Sequence, residues 1–238
     1  MDRLLVERGI APSGEKARAL ILAGTVLVDG APADKAGTLV APDAPLRLRE
    51  APHPYASRGG VKLKGALDVF GLAVRGWAVL DVGASTGGFT DCLLQEGARK
   101  VYALDVGYGQ LAWSLRRDSR VVVLEKTNIR HFAGEGVTDV LDMAVIDVSF
   151  ISLRLVLPPV LPLLRDGATV VALVKPQFEA GREAVSRGGV VRDPEVHRQV
   201  LEELRAFCRG LSLRERGMCP STLLGPAGNR EFFLWMQK

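Results

Sequence analysis

The chain has 238 residues, 47% of them hydrophobic and 24% charged, a balance that excludes a disordered or fibrous protein and allows a sizeable core. A formal charge of +4 and a pI near 9.1 suit a polyanionic partner without demanding one. The three cysteines, Cys92, Cys208 and Cys219, have neither the even number of a disulfide framework nor the C-x-x-C spacing of a zinc site, so a reducing cytoplasm and no bound metal are expected.

Met1 runs straight into Asp2 and Arg3 with no apolar leader segment, so no secretory signal is read. The richest apolar stretch, Phe150 to Leu164, is broken by Arg154, Pro158, Pro159 and Pro162 and is too short to span a bilayer, which predicts a soluble protein. Residues 1–50 carry a pattern of their own. Ser13 reads as a helix N-cap, and Ala17, Leu20, Ile21 and Gly24 follow at helical spacing. Thr25–Val28 followed by Asp29-Gly30 predicts a short strand entering a tight hairpin turn, and a second strand surrounds Leu46 and Leu48. Two short helices and a small sheet make an α+β module of minimal core.

The run from Leu4 to Gly30, with its S-x-x-K-A-R-A-L-I-x-A-G-x-V-x-V-D-G order, resembles the alpha-L RNA-binding module of a small-subunit ribosomal protein, pseudouridine synthases and tyrosyl-tRNA synthetases. Such modules present basic side chains to RNA phosphates. The resemblance implies that role for Lys16 and Arg18, with Arg3 and Arg8 nearby and Arg58 beyond the module. The competing reading is a plain solvated helix face, because residues 1–50 hold seven basic and seven acidic side chains.

Residues 51–60, with Pro52 and Pro54, read as a linker, and 61–238 as the larger domain. There, strands are predicted at 77–81, 100–105, 121–125, 143–148 and 168–175, and helices near 62–72, 88–97, 109–117, 152–164 and 193–209. This alternation predicts an α/β fold with a mainly parallel sheet covered on both faces. Leu211–Pro220 and Glu231–Met236 are joined without a helix, so the last strand is expected to run antiparallel to its neighbours.

The first of these strands leads into Val82-Gly83-Ala84-Ser85-Thr86-Gly87-Gly88-Phe89 and then a helix. Glycines placed there let backbone approach a ligand at a helix N-terminus. Asp105 closes the next strand 22 residues after Gly83, where a carboxylate can accept both ribose hydroxyls. Ser85 stands where a dinucleotide fold carries its middle glycine and would crowd a pyrophosphate. Asp81 puts a carboxylate where a diphosphate would be repelled and the methionine part of S-adenosylmethionine welcomed. S-adenosylmethionine is therefore the expected cofactor.

Ligands of such sheets bind beyond the carboxyl ends of the parallel strands. Asp147 and Lys175 each end one, and Glu231 starts the last strand, which if antiparallel begins at the same edge. Lys62 or Lys64 could reach that edge from the helix before the first strand. Two lysines and two carboxylates suit methyl transfer to a hydroxyl. One lysine, depressed in pKa, takes the proton. The other stabilises the forming alkoxide, and the carboxylates orient both.

At this point the chain resembles the TlyA family, alpha-L plus FtsJ-like ribosomal RNA methyltransferases often labelled hemolysins. The resemblance rests on SRGGVKL (Ser57–Leu63), LDVGASTGGFTDCLLQEGA (Leu80–Ala98), ALDVGYGQL (Ala103–Leu111), TNIR (Thr127–Arg130), DVSFISL (Asp147–Leu153), VKPQFEAGRE (Val174–Glu183), GGVVRDPEVH (Gly188–His197) and GPAGNREFFLW (Gly225–Trp235). It implies a Rossmann-like class I methyltransferase fold and 2′-O-methylation of a cytidine ribose in ribosomal RNA or assembled subunits. The implied tetrad is Lys62, Asp147, Lys175 and Glu231, which selects Lys62 over Lys64. Cofactor contacts are implied at Gly83, Ser85, Gly87, Phe89, Asp105, Asn128 and Asp147. The short opening and the stop soon after Trp235 resemble the shorter family form, associated with large-subunit RNA alone. Two rival readings are a membrane-active hemolysin and a non-catalytic RNA-binding factor for ribosome assembly.

Overall fold

The computed structural model describes residues 1–22, 25–33, 35, 37–48, 53–186, 188–225 and 227–238; Gly24 and the Ala51–Pro52 part of the expected linker lie outside them. The chain divides into two units, Met1–Pro54 and Tyr55–Lys238.

In the first unit, helices α1 (Asp2–Glu7) and α2 (Gly14–Leu22) accompany strands β1 (Val26–Val28), β2 (Ala31–Ala33) and β3 (Leu46–Leu48). The Ser13 hydroxyl accepts the Lys16 N–H at 3.2 Å, the N-cap expected of a serine before an apolar-periodic run. Asp29 and Gly30 both adopt left-handed backbone, φ 51° and 82°. That geometry turns β1 tightly into β2, pairing Val28 with Ala31. All pairings are antiparallel in the order β2-β1-β3. Leu5, Ala17, Ile21 and Val26 are fully buried and form its small core.

The second unit runs α3 (Gly59–Phe70), β4 (Ala78–Val82), α4 (Gly88–Gln95), β5 (Lys100–Leu104), α5 (Trp113–Arg116), β6 (Val121–Leu124), β7 (Leu141–Ile146), α6 (Leu153–Val160), β8 (Leu164–Val174), α7 (Pro176–Glu179), α8 (Pro194–Gly210), β9 (Arg214–Pro220) and β10 (Phe232–Gln237). Its seven strands lie in the order β6-β5-β4-β7-β8-β10-β9. The first five are parallel, and β10 is antiparallel to both β8 and β9, as the helix-free connection requires. Alternate side chains of β4 feed two cores. Leu80 and Val82 pack with Val156, Leu157 and Leu204 on the face covered by α6 and α8; Val79 packs with Leu63, Leu67 and Leu93 under α3 and α4. The three cysteines are free and buried. Among the described residues no helix is long and apolar enough to cross a membrane.

Three elements differ from expectation. The helix predicted over 109–117 is only the four residues of α5, because Leu111 and Leu115 are buried as anchors of a glycine loop whose Gly109 has φ 72°. The helix predicted over 152–164 stops at Val160, with a 3-10 turn Leu161–Leu163 before β8. Pro158 and Pro159 sit inside α6, and Pro162 lacks the N–H that would continue it past Val160. Helix α3 starts at Gly59, so the last two residues of the expected linker are helical.

Candidate active site

The cofactor loop is shaped by close approach. Gly83 has φ 87°, and a Cβ there would collide with the Asp147 carbonyl oxygen, so only glycine lets the loop lie against the segment leaving β7. The N–H groups of Gly83 and Ala84 both donate to the Leu104 carbonyl, at 2.8 and 3.1 Å, which folds the loop over the end of β5. Asp105 then takes the Ser85 N–H at 2.8 Å on one carboxylate oxygen and the Gly107 N–H at 2.7 Å on the other. Gly88 opens α4, and a Cβ on it would strike Ser57 and the Gly60 backbone. The N-terminus of α3 can therefore press against that of α4, which delivers Lys62 to the sheet edge.

Two ion pairs stand there. Lys62 Nζ lies 2.5 Å from Glu231 Oε2, with Lys62 5% and Glu231 2% exposed. Glu231 directly precedes β10, and its carbonyl accepts the Ser221 N–H at 2.8 Å. A Cβ on Gly225 would strike Glu231 Oε1, a buried atom with no hydrogen-bond partner among the described residues. Lys175, the residue after β8, places Nζ 2.6 Å from Asp147 Oδ1 and donates to Ser149 Oγ at 2.9 Å. Asp147 follows β7, its N–H bound to the Val82 carbonyl at 2.9 Å.

All four residues line one cavity of about 490 Å³, together with Gly83, Ser85, Phe89 and Arg58. A second cavity of about 540 Å³ is lined by Asp105, Asn128 and Gln110. Gly83, Ser85, Asp147, Ser149 and Phe150 belong to both walls, so the two spaces adjoin with Asp147 at their junction. Asn128 also caps the 3-10 turn Ile129–His131, accepting the Arg130 N–H at 3.1 Å.

Two expected cofactor residues are on neither wall. Gly87, at φ 95°, supports the turn into α4 and packs against Leu111 and Leu115. Asp81 is fully buried behind the loop, where its Oδ2 accepts the Thr90 hydroxyl at 2.7 Å. Burial pushes its carboxyl up to about 7, the Thr90 hydrogen bond opposing and the charges of Asp147 and Asp105 adding to the rise.

The basic residues of the first unit are differently engaged. Arg8 donates to the backbone carbonyls of Ala44, at 2.7 Å, and Pro42. Arg3 pairs with Glu7 at 2.8 Å and Arg18 with Asp2 at 3.2 Å. Among the described residues none forms an ion pair with Lys16, which is exposed.

Sequence reasoning missed Ser149, Phe150 and Asn229. Phe150 is 90% exposed at the cavity mouth with a left-handed φ of 63°, and its ring lies 5.0 Å from that of Phe178. Asn229 is buried; its amide accepts the Val191 N–H at 2.9 Å and donates to the Gly189 carbonyl at 2.8 Å, stapling two cavity-wall segments. The signal was there in the quoted motifs, DVSFISL for the first two and GPAGNREFFLW for Asn229, but no chemistry of the residue types singled them out.

A family model for FtsJ-like methyltransferases matches residues 55–238, and one for the S4 domain matches residues 2–45. The chain is 47% identical over 238 residues to the 16S/23S rRNA (cytidine-2′-O)-methyltransferase TlyA of Mycobacterium tuberculosis, covering all of this chain and 89% of that one. It is 38% identical over 233 residues to Hemolysin A of Brachyspira hyodysenteriae, covering 98% and 97%. A solved hemolysin-type structure from Streptococcus thermophilus superposes with a TM-score of 0.80 at 44% identity, covering 100% of this chain and 87% of that one. The fold alone is shared with Aeropyrum pernix fibrillarin carrying bound S-adenosyl-L-methionine, at a TM-score of 0.52 and 16% identity over 74% of this chain and 75% of that one. The Gly83 cradle and the Asp105 carboxylate fit S-adenosylmethionine. The chain belongs to the FtsJ-like methyltransferases, within the TlyA family, and joins that domain to an S4 domain.

Proposed function

We propose that the chain methylates the 2′-hydroxyl of a cytidine in ribosomal RNA, in the cytoplasm, with the S4 unit holding RNA phosphates. The observation that carries this reading is the placement of Lys175 and Asp147, 2.6 Å apart, where the two cavities adjoin. A cofactor on the Asp105 side and an acceptor on the tetrad side then meet at that pair.

The bound S-adenosylmethionine supplies a methyl group already activated on a positive sulfur. What the acceptor lacks is nucleophilicity. Lys175 is placed to take the hydroxyl proton at Nζ as the acceptor oxygen is methylated. Asp147 and Ser149 fix where Nζ of Lys175 sits. The Lys62 ammonium, oriented by Glu231, stabilises the negative charge developing on the oxygen inside a wall that excludes water. Gly83, Ser85, Asp105 and Asn128 would hold the cofactor from the loop side, and Phe89 closes the tetrad side beside it. Asp81 acts behind them by tying β4 to α4 through Thr90. Phe150 offers an aromatic face at the mouth, the surface on which a base lifted out of its stack can rest.

The test is to incubate the protein and labelled cofactor with both ribosomal RNAs, free and as subunits, and to map 2′-O-methyl groups. One or a few discrete cytidines carrying label support the proposal. Label on a base nitrogen or carbon, or none on any RNA, defeats it.

A further inference from the structure

Glu179 stands four residues beyond Lys175 at the end of α7 and takes no part in the tetrad. Its carboxylate crosses to the N-terminus of α6. Oε2 accepts the Ser152 hydroxyl at 2.6 Å, and Oε1 accepts the Leu153 N–H at 2.7 Å. Helix α6 already has a local cap, because Ser152 Oγ accepts the Arg154 N–H at 3.1 Å. The Ser152 cap satisfies only one of the unpaired N–H groups of the first turn; Glu179 takes another, Leu153, and it does so from a segment 26 and 27 residues away.

The segment so held runs from Asp147 to Ser152 and carries Asp147, Ser149 and Phe150. It contains a non-glycine residue in left-handed backbone, Phe150, a conformation that persists only where the surroundings impose it. The segments leaving β7 and β8 are joined at three points. Lys175 meets Asp147 and Ser149, Phe178 meets Phe150, and Glu179 meets Ser152 and Leu153. Only the last contact involves neither the tetrad nor the mouth of the cavity. Partial burial raises the Glu179 carboxyl above its ordinary range, the two hydrogen bonds opposing.

We propose that Glu179 is a positioning residue for methyl transfer: it pins the Asp147–Ser152 segment against Lys175 and so sets where Lys175 stands relative to the acceptor oxygen. This rests on the reaction proposed above. The rival is a plain structural role, in which losing Glu179 weakens the fold and the cofactor site together.

The two roles separate in the full-length protein through Glu179→Ala and Glu179→Gln. Single-turnover transfer to ribosomal RNA at saturating cofactor, affinity for S-adenosylhomocysteine, and hydrogen exchange at amides 147–153 would each be measured. Misplacement of a reacting group by an ångström costs up to about 100-fold, so Glu179→Ala should slow transfer at saturating cofactor roughly 10- to 100-fold, well beyond any loss of cofactor affinity that the shared Asp147–Phe150 wall brings. Protection at 147–153 should fall in the same variant, and Glu179→Gln, which still accepts the Leu153 N–H, should recover most of the rate. An unchanged rate in Glu179→Ala overturns the proposal, and so does a rate lost only in proportion to cofactor affinity. If the wild-type protein methylates no RNA, the reaction reading fails by itself. Exchange at 147–153 then still decides the pin: lost protection in Glu179→Ala upholds it and unchanged protection overturns it.

Discussion

Lys62 and Glu231 are 169 positions apart in sequence, yet Nζ and Oε2 meet at 2.5 Å with almost no access to solvent. A pair so buried is weak evidence for stability and stronger evidence for use, since apolar residues of similar volume would fill the space without the cost of desolvating two charges. Lys62→Ala should therefore cost about 3–5 kcal/mol in unfolding free energy, because it strands the Glu231 carboxylate. The double variant Lys62→Met with Glu231→Leu should fold near wild-type stability and transfer no methyl groups. Urea unfolding and a single-turnover assay on both variants check this. A double variant that keeps activity would remove the pair from the chemistry.

Lys175 touches Asp147 and Ser149, a setting that suits either a proton acceptor or a fixed positive charge. Lys175→Arg tells them apart, because a guanidinium keeps the charge and the ion pair but does not give up its proton. If Lys175 takes the hydroxyl proton, the arginine variant is as inactive as Lys175→Ala, with S-adenosylhomocysteine affinity near wild type. Substantial turnover by Lys175→Arg would reassign the residue to charge stabilisation.

Asp81 gives a pH signature of stability. The carboxyl keeps its proton in the folded protein up to about 7, against 3.8 for an ordinary aspartate. Between those values the unfolded chain has released a proton that the native state still holds. The contribution is thus fully present below about pH 4 and is lost as pH rises toward 7, at no more than about 1.4 kcal/mol per pH unit. Asp81→Asn cannot titrate, so its unfolding free energy should fall less steeply across pH 4 to 7. Denaturant melts at half-unit steps would show it, and parallel curves for the two proteins would count against a buried, protonated Asp81.

How much of this was legible in the sequence depended on whether a local pattern carried it. The sheet edge was legible, because Asp147 and Lys175 close apolar runs of strand length and the helix-free stretch before Phe232 turns the last strand around. Side-chain partners across segments were not. Nothing in the spacing of Lys175 and Glu179 says that the second reaches the start of α6, since that contact depends on how β7 and β8 pair in the folded sheet. Asp81 shows a subtler limit. The sequence places it near the end of β4, but only the path of the loop decides that Thr90, rather than the cavity, faces its carboxylate. In the same way Leu111 and Leu115 have helical spacing, and tertiary burial uses that spacing to anchor a loop.

The S4 unit shows the same distinction among its basic residues and yields the last prediction. Arg8 is committed to the carbonyls of Pro42 and Ala44, so its guanidinium closes the chain in front of β3 rather than waiting for phosphate. Arg3 and Arg18 are held by exposed carboxylates, in pairs worth about 1 kcal/mol or less, which a phosphate can displace. Lys16 is exposed, and no described residue forms an ion pair with it. Lys16→Ala should therefore weaken binding to ribosomal RNA severalfold and lower the salt slope of log K by about 0.7–0.9, the release of one counterion. Arg8→Ala should leave that slope unchanged and instead destabilise the unit by about 1–3 kcal/mol through lost charged hydrogen bonds. Filter binding over a salt series, with thermal melts of each variant, separates the two effects. A reduced salt slope in Arg8→Ala at unchanged stability would mean that the arginine leaves its carbonyls for RNA.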